Sequence, residues 1–252
     1  MRIRDAAVLV TGASSGLGRE AARQLAGAGA RVIAHGRDTA ALADLAAGTG
    51  ATALPADLSV PGEAQRLAEA ALAVHGRLDI VVNNAGQGWA GQFAGMPPAD
   101  LHRLIAVNLA APIALTRAVL PAMLGAGSGY LAFVGSIAGR TGVAGESVYS
   151  ATKAGLDTFA ESLRFELRGT GIGVGVLVPG VVDTEFFARR GRAYERRSPR
   201  PRPAGEVASA LLRMIAHDRA EAYAPRWLRL PVAVRGAMPG TYRGLAGRFG
   251  GG

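Results

Sequence analysis

Short, nearly unbroken apolar runs alternate with longer Ala-rich segments along most of the chain. The runs have strand length and lie near 6–11, 31–35, 52–56, 79–82, 130–135 and 173–178, with a weaker one near 221–224. Between them the pattern is helical, near 17–28, 39–47, 62–75, 100–124, 148–169 and 205–217. A strand apolar on both sides belongs in a parallel sheet covered on both faces, since a water-facing side would impose alternation. Strand–helix alternation gives βαβ crossovers, and hence a doubly wound α/β sheet. There is no composition break before about residue 188 and no internal repeat. One domain over residues 1–224 is therefore expected, with an extension over 225–252.

Composition narrows the class. Of 252 residues 49% are hydrophobic and 19% charged, which suits a large core and excludes a disordered chain. There is no cysteine, so disulfides, thiolate zinc sites and thiol nucleophiles are excluded, and no metal site is expected. Met1–Asp5 run straight into the first strand, leaving no room for a signal peptide. No apolar run approaches the ~18 residues of a membrane span. A soluble, cytoplasmic protein is expected. The net charge of +9 is uneven: from Arg189 onward there are 14 Arg against Glu195, Glu206, Asp218 and Glu221, whereas residues 1–188 hold 14 basic and 15 acidic residues.

The first strand runs into Thr11-Gly12-Ala13-Ser14-Ser15-Gly16-Leu17-Gly18. Gly12 permits a tight turn, Gly16 lets backbone approach a pyrophosphate, and Gly18 allows the helix to pack close to the strand. The helix N-terminus offers free N–H groups and a dipole favourable to phosphate, and Ser14 and Ser15 can add hydroxyl donors. At the end of the second strand an acid would bind the ribose 2′-OH of NAD. Here Gly36 vacates that place and Arg37 can meet a 2′-phosphate, so NADP(H) is expected over NAD(H). A two-residue shift of the strand end would instead bring Asp38 to the ribose. Asp57, followed by Leu58, can accept from an adenine amino group or cap a turn near Ser59. The fourth strand ends in Asn83-Asn84-Ala85-Gly86, at the carboxyl edge where such sheets bind ligands.

Among 28 basic residues only Lys153 is a lysine. A lone ammonium in an all-arginine chain marks a place where guanidinium does not substitute. Tyr149 lies four residues earlier, on the same helix face, as a candidate proton donor; the alternative is an exposed Tyr/Lys pair.

Taken together, Thr11–Gly18, Asp57, Asn83–Gly86, Asn108, Ser136, Tyr149-x-x-x-Lys153 and Pro179-Gly180 followed by Thr184 resemble the short-chain dehydrogenase/reductase family in its compact form. The resemblance runs from residue 6 to about 187, in family order and spacing. It implies a single-domain Rossmann-like fold with strand order 3-2-1-4-5-6-7 and a catalytic set of Asn108, Ser136, Tyr149 and Lys153. Tyr149 would be the general acid or base and Ser136 would bind the substrate oxygen. Lys153 would lower the tyrosine pKa and hold the nicotinamide ribose. Asn108 would hold its helix open around a water linking Lys153 to solvent. The implied cofactor contacts are Gly12, Ser14, Ser15, Gly16, Leu17, Gly18, Arg37, Asp57, Leu58, Asn84, Ala85, Gly86, Tyr149, Lys153, Pro179, Gly180, Val182 and Thr184. The implied partners are a small carbonyl or alcohol substrate and a homo-oligomer.

Two basic stretches depart from this pattern. Residues 185–204, where the family carries its substrate lid, hold Arg189, Arg190, Arg192, Arg196, Arg197, Arg200 and Arg202. They form either a solvated lid or an anion clamp. The extension takes the place of the short tail that packs many family tetramers, so a dimer through the helices near 100–124 and 148–169 is expected instead. Tyr242, Leu245, Ala246 and Phe249 fall at helical spacing, suiting docking on the dimer mate or weak contact with an anionic bilayer. Breakers at Pro231, Gly236, Pro239 and Gly240 favour internal docking. Nucleic-acid binding is not expected, for aromatics interleave too sparsely with the arginines. Gln87, Gly88, Trp89, Phe93, Val143, Glu146, Phe186 and Phe187 are expected to border a largely apolar pocket. A cofactor-binding regulator without turnover is the competing class, against which the intact catalytic set argues.

Overall fold

Every residue of β1 (Ala7–Val10) is buried, as an unbroken apolar run requires of a strand covered on both faces. The computed structural model describes residues 1–192, 194 and 199–249, the last three by backbone only. Arg196, Arg197 and the side chains of Arg248 and Phe249 lie outside the described residues. With β2 (Arg31–Gly36), β3 (Thr52–Pro55), β4 (Ile80–Asn83), β5 (Gly129–Val134) and β6 (Ile172–Pro179), β1 forms a parallel sheet. Two-residue strands β7 (Val182–Asp183) and β8 (Arg202–Pro203) pair only with each other. The last strand, β9 (Glu221–Ala224), completes a large sheet of order β3-β2-β1-β4-β5-β6-β9, the expected order with β9 as its seventh strand. The strand order reverses between β1 and β4, which opens a crevice at their carboxyl ends.

Helices cover both faces. On one side α1 (Gly16–Gly27), α2 (Thr39–Thr49) and, later in the chain, the helix at 204–216 bury Leu25, Leu42 and Leu211 against Val8, Val10, Val32 and Val82. On the other, α3 (Glu63–His75), the run through α4 (Pro98–Ile105) and α5 (Ala111–Ala126), and, beyond the short α6 (Ile137–Thr141), α7 (Ser147–Glu166) enclose Leu9, Val81, Leu131 and Phe133. The chain ends with α8 (Phe186–Arg189), α9 (Ala204–Ala216), α10 (Arg229–Ala237) and α11 (Pro239–Phe249).

The run Pro98–Ala126 reaches a mean hydropathy of 1.6 over 18 residues and is long and apolar enough to cross a bilayer, which corrects the expectation that no segment is. In this fold it is a core helix, burying Leu104, Val107, Leu115, Val119 and Met123. It is also not one uninterrupted α-helix: Ala106–Ala110 form a π turn centred on Asn108. The extension docks on its own chain. Leu228 is buried and Val232 packs on the core, while Tyr242 Oη donates to Thr141 O at 3.2 Å and Arg235 donates to Arg140 O, both on α6.

Candidate active site

The turn after β1 leaves no room for side chains. Gly12 has φ +68°, a left-handed backbone that favours glycine. A Cβ on Gly18 would lie 2.8 Å from the Gly12 carbonyl carbon and overlap Asn84 Nδ2. Asn84 Nδ2 donates to Thr11 O at 2.8 Å, and Thr11 Oγ1 accepts from the N–H groups of Asn84 and Ala85, each at 3.0 Å. These bonds tie the turn to the end of β4. Ser15 is the N-cap of α1 but its side chain accepts no bond from the helix N–H groups, and Gly16, Leu17 and Gly18 line the cleft, where first-turn N–H groups and the helix dipole attract an anion.

The end of β2 separates the two candidate ribose partners. A Cβ on Gly36 would come within 2.9 Å of Ser14 Oγ, so this position stays small. Asp38 turns away and N-caps α2, accepting from Ala41 N at 2.9 Å. Arg37 remains at the cleft, half-exposed and 4.0 Å from Asp57. Asp57 accepts from Ser59 N at 2.9 Å and from Ser59 Oγ at 2.8 Å. The Ser59 bonds hold its carboxyl below the ordinary value, against a smaller opposing burial effect, and the charges of Arg37 and Arg103 add to the lowering. Leu58 lines the same end.

The cleft, about 1200 Å³, runs from this end to Tyr149. Tyr149 and Lys153 stand one turn apart on the buried side of α7, which rejects the exposed-pair reading. Ser136, the N-cap of α6 just past β5, accepts from Ala138 N at 3.1 Å, and its hydroxyl lies near enough to the Tyr149 phenol to influence its pKa. Burial pushes the Tyr149 phenol up to about 12, opposed by the Ser136 hydroxyl, raised further by the Glu146 charge and lowered by Arg190. Lys153 stands beside this phenol, on the same buried side of α7. Its Nζ lies 5.9 Å from the centre of the tyrosine ring and donates to Val134 O at 2.8 Å. Burial brings Lys153 itself down to about 8, although Asp157 opposes the fall. Asn108 Oδ1 accepts from Gln87 N at 2.8 Å, and its Nδ2 donates to Gln87 O at 2.9 Å and to Thr152 Oγ1 at 3.3 Å. Gly86 closes this group, since a Cβ there would touch both Asn108 Oδ1 and Lys153 Nζ at 3.4 Å. Pro179, Gly180, Val182 and Thr184 line the far wall, and Thr184 abuts Gly16.

Residues 186–192 cover the cleft. The Phe186 ring lies 5.6 Å from Tyr149 and the Phe187 ring 5.3 Å from Tyr194. Arg189 Nη1 donates to Ser15 Oγ at 3.0 Å and also pairs with Glu185. Arg190, whose side chain is 8% exposed, pairs with Glu146 and stacks over Phe187 at 4.5 Å. Arg202 pairs with Glu206. Of the arginines expected to form a solvated lid or an anion clamp, Arg189, Arg190 and Arg202 are thus paired with acids, whereas Arg192 and Arg200 make no ion pair among the described residues.

A family model described as short chain dehydrogenase matches residues 6–195. The chain belongs to the short-chain dehydrogenase/reductase family. It is 38% identical over 224 residues to the ketoacyl reductase HetN of Nostoc sp., covering 85% of this chain and 76% of that one. It is also similar to a short-chain dehydrogenase from Sphingobium yanoikuyae solved in complex with NADPH, with 32% identity, a TM-score of 0.81 and coverage of 95% and 94%. A further structure, a short-chain dehydrogenase/reductase from Burkholderia phymatum in complex with NAD, gives 25% identity, a TM-score of 0.84 and 94% coverage of each chain. This short-chain dehydrogenase/reductase is thus an oxidoreductase using a nicotinamide cofactor.

Of the residues expected to border the substrate pocket of this short-chain dehydrogenase, Gln87, Gly88, Trp89, Val143, Glu146, Phe186 and Phe187 do so. Phe93 does not: it sits on a 3₁₀ turn and is 60% exposed. Sequence reasoning missed Arg103 and His35, both of which line the cleft. His35 carried a signal, two positions before Arg37 near the end of β2. Arg103 carried none beyond its charge on an apolar helix.

Proposed function

We propose that this chain is an NADP(H)-dependent reductase of an apolar carbonyl compound, with Tyr149 as the proton donor. The observation that carries the reading is the Tyr149–Ser136 hydroxyl pair at one end of a cleft whose other end is the glycine turn. Gly16–Gly18 N–H groups would hold the pyrophosphate and Arg37 the 2′-phosphate; Asp57 and Leu58 would border the adenine. Asn84–Gly86, Lys153 and Pro179–Thr184 would surround the nicotinamide end. The preference for NADP(H) rests on Asp38 being engaged as a helix cap while Arg37 stays at the cleft. When bound, the dinucleotide supplies a hydride for the carbonyl carbon.

The residues supply orientation and the proton. Ser136 holds the substrate oxygen, and Tyr149 Oη, neutral at neutral pH because burial raises its pKa, gives that oxygen its proton. Lys153, with a pKa brought down to about 8, returns a proton to the tyrosine. Asn108 fixes the Gln87 backbone beside the π turn, and a water held there would link Lys153 to solvent. Trp89, Val143 and Phe186 favour an apolar substrate, and the name of the Nostoc relative makes ketones of acyl chains the first class to screen. A homodimer would use the outer faces of α4, α5 and α7, where Ile105, Leu124 and Phe165 are exposed.

The test is Tyr149→Phe, assayed by NADPH oxidation with a panel of ketones. Turnover should fall by roughly 10²–10⁴, the usual worth of a positioned proton donor, with circular dichroism and NADPH binding unchanged. Activity retained in this variant would overturn the assignment.

A further inference from the structure

We propose that the C-terminal extension is a docking surface for an anionic lipid bilayer, independently of the reaction in the cleft. The argument starts from α10, which is apolar on two sides. Leu228 and Val232, four residues apart, face the chain's own core. Leu230 and Val234, four residues apart, lie on another face of α10, flanked by Trp227 on the 3₁₀ turn before the helix and Met238 just past its end; they are 67%, 37%, 48% and 56% exposed. Leu245 on α11 adds a fifth exposed apolar side chain. Scattered apolar residues on a surface mean little, but a helical stripe of them marks a contact.

Charge says what the contact is with. After Glu221 the chain holds no Asp or Glu, only Arg226, Arg229, Arg235, Arg243 and Arg248 as charged side chains. Arg229 and Arg235 are tied back to Glu221 and to the Arg140 carbonyl, whereas Arg226 and Arg243 make no ion pair among the described residues. A second copy seated symmetrically on this face would oppose one acid-free basic segment to another, which repulsion disfavours. Nucleic acid would satisfy the arginines but leave the aliphatic stripe unused. An anionic bilayer satisfies both, with the stripe among the acyl chains and arginine heads at the phosphates. Helices α10 and α11 have nine and eleven residues, well short of the ~20 needed to span, so the contact lies in the interface plane.

The experiment is co-sedimentation of the full chain with vesicles of equal parts phosphatidylglycerol and phosphatidylcholine, and with phosphatidylcholine alone. Binding should require the anionic lipid, weaken with salt, and fall by about tenfold or more in Leu230→Ser/Val234→Ser and, separately, in Arg226→Gln/Arg243→Gln. All four side chains are exposed, so circular dichroism and NADPH binding should not change. Brominated lipid should quench the fluorescence of the full chain, and Trp227→Phe should remove that quenching while Trp89 remains. No sedimentation of the intact chain with anionic vesicles would overturn the proposal, as would equal binding by both double variants. Concentration-dependent self-association abolished by Leu230→Ser/Val234→Ser would also overturn it, assigning the face to a second copy.

Discussion

The two walls of the cleft are built from different materials. The dinucleotide wall is backbone: the Thr11–Gly18 turn is pinned by Asn84 and Thr11 hydrogen bonds and packed so closely that glycine alone fits at position 18. The covering wall is side chain: the Phe186 ring tilted against Tyr149 and arginines paired across long sequence separations, Arg189 to Ser15 and Arg190 to Glu146. Backbone packing is continuous with the core of the sheet, so disturbing it disturbs folding. Side-chain pairings of a short segment open locally at small cost to the rest. One wall is a fixed cradle and the other a cover.

Gly18→Ala puts the largest load on this contrast. The added methyl meets the Gly12 backbone and the Asn84 amide that pins the turn, so stability should drop by about 3 kcal/mol and NADPH binding should be lost, read by thermal melting and nucleotide fluorescence. A melting temperature near that of the parent would mean the cradle yields like the lid.

Next in size is the pH response of the cradle. Burial holds His35 at about 4 against 6.5 in the unfolded chain, opposed only partly by its bond to Ala56 O and by the Asp57 charge. The unfolded state therefore binds more protons between those values. The contribution is fully present above pH 6.5 and is lost as pH falls through about 4, worth about 3 kcal/mol. Denaturation across this window should steepen by that amount relative to His35→Gln; parallel curves would remove His35 from the account.

The smallest effect belongs to the cover. Arg190→Met keeps the bulk over Phe187 but leaves Glu146 unpaired. Because the lid can open and return Glu146 to water, we expect the KM for a ketone to rise by about tenfold with the melting temperature nearly unchanged. Melting as severe as that of Gly18→Ala would erase the distinction between the walls.

The same contrast explains what could be read from the chain. β1, β4 and β5 were legible because burial on both faces writes itself as an unbroken apolar run. The glycine turn was legible because close backbone approach has a residue type of its own. Tyr149 and Lys153 share a helix face by spacing alone. The lid left no such trace. α8 has four residues, too few for a period, and Glu146 and Arg190 are 44 positions apart with nothing local to join them. Phe93 looked like a pocket residue because it is aromatic, but the 3₁₀ turn at Phe93–Gly95 leaves its ring in solvent. The π turn at Asn108 had only one sign, a polar residue inside an apolar helix. That the Lys153 ammonium donates to Val134 O was not legible, because spacing along a helix says nothing of a partner on β5.

Arg37 stands at the cleft mouth, 4.0 Å from Asp57, while Asp38 is withdrawn as a helix cap, and the proposed preference for NADP(H) rests on that difference. The most direct test is a fluorescence titration of the intact chain with NADPH and with NADH. Binding of NADPH at least about tenfold tighter than NADH is the predicted result, since the nucleotides differ only in the 2′-phosphate. Equal affinities, or preference for NADH, would contradict it.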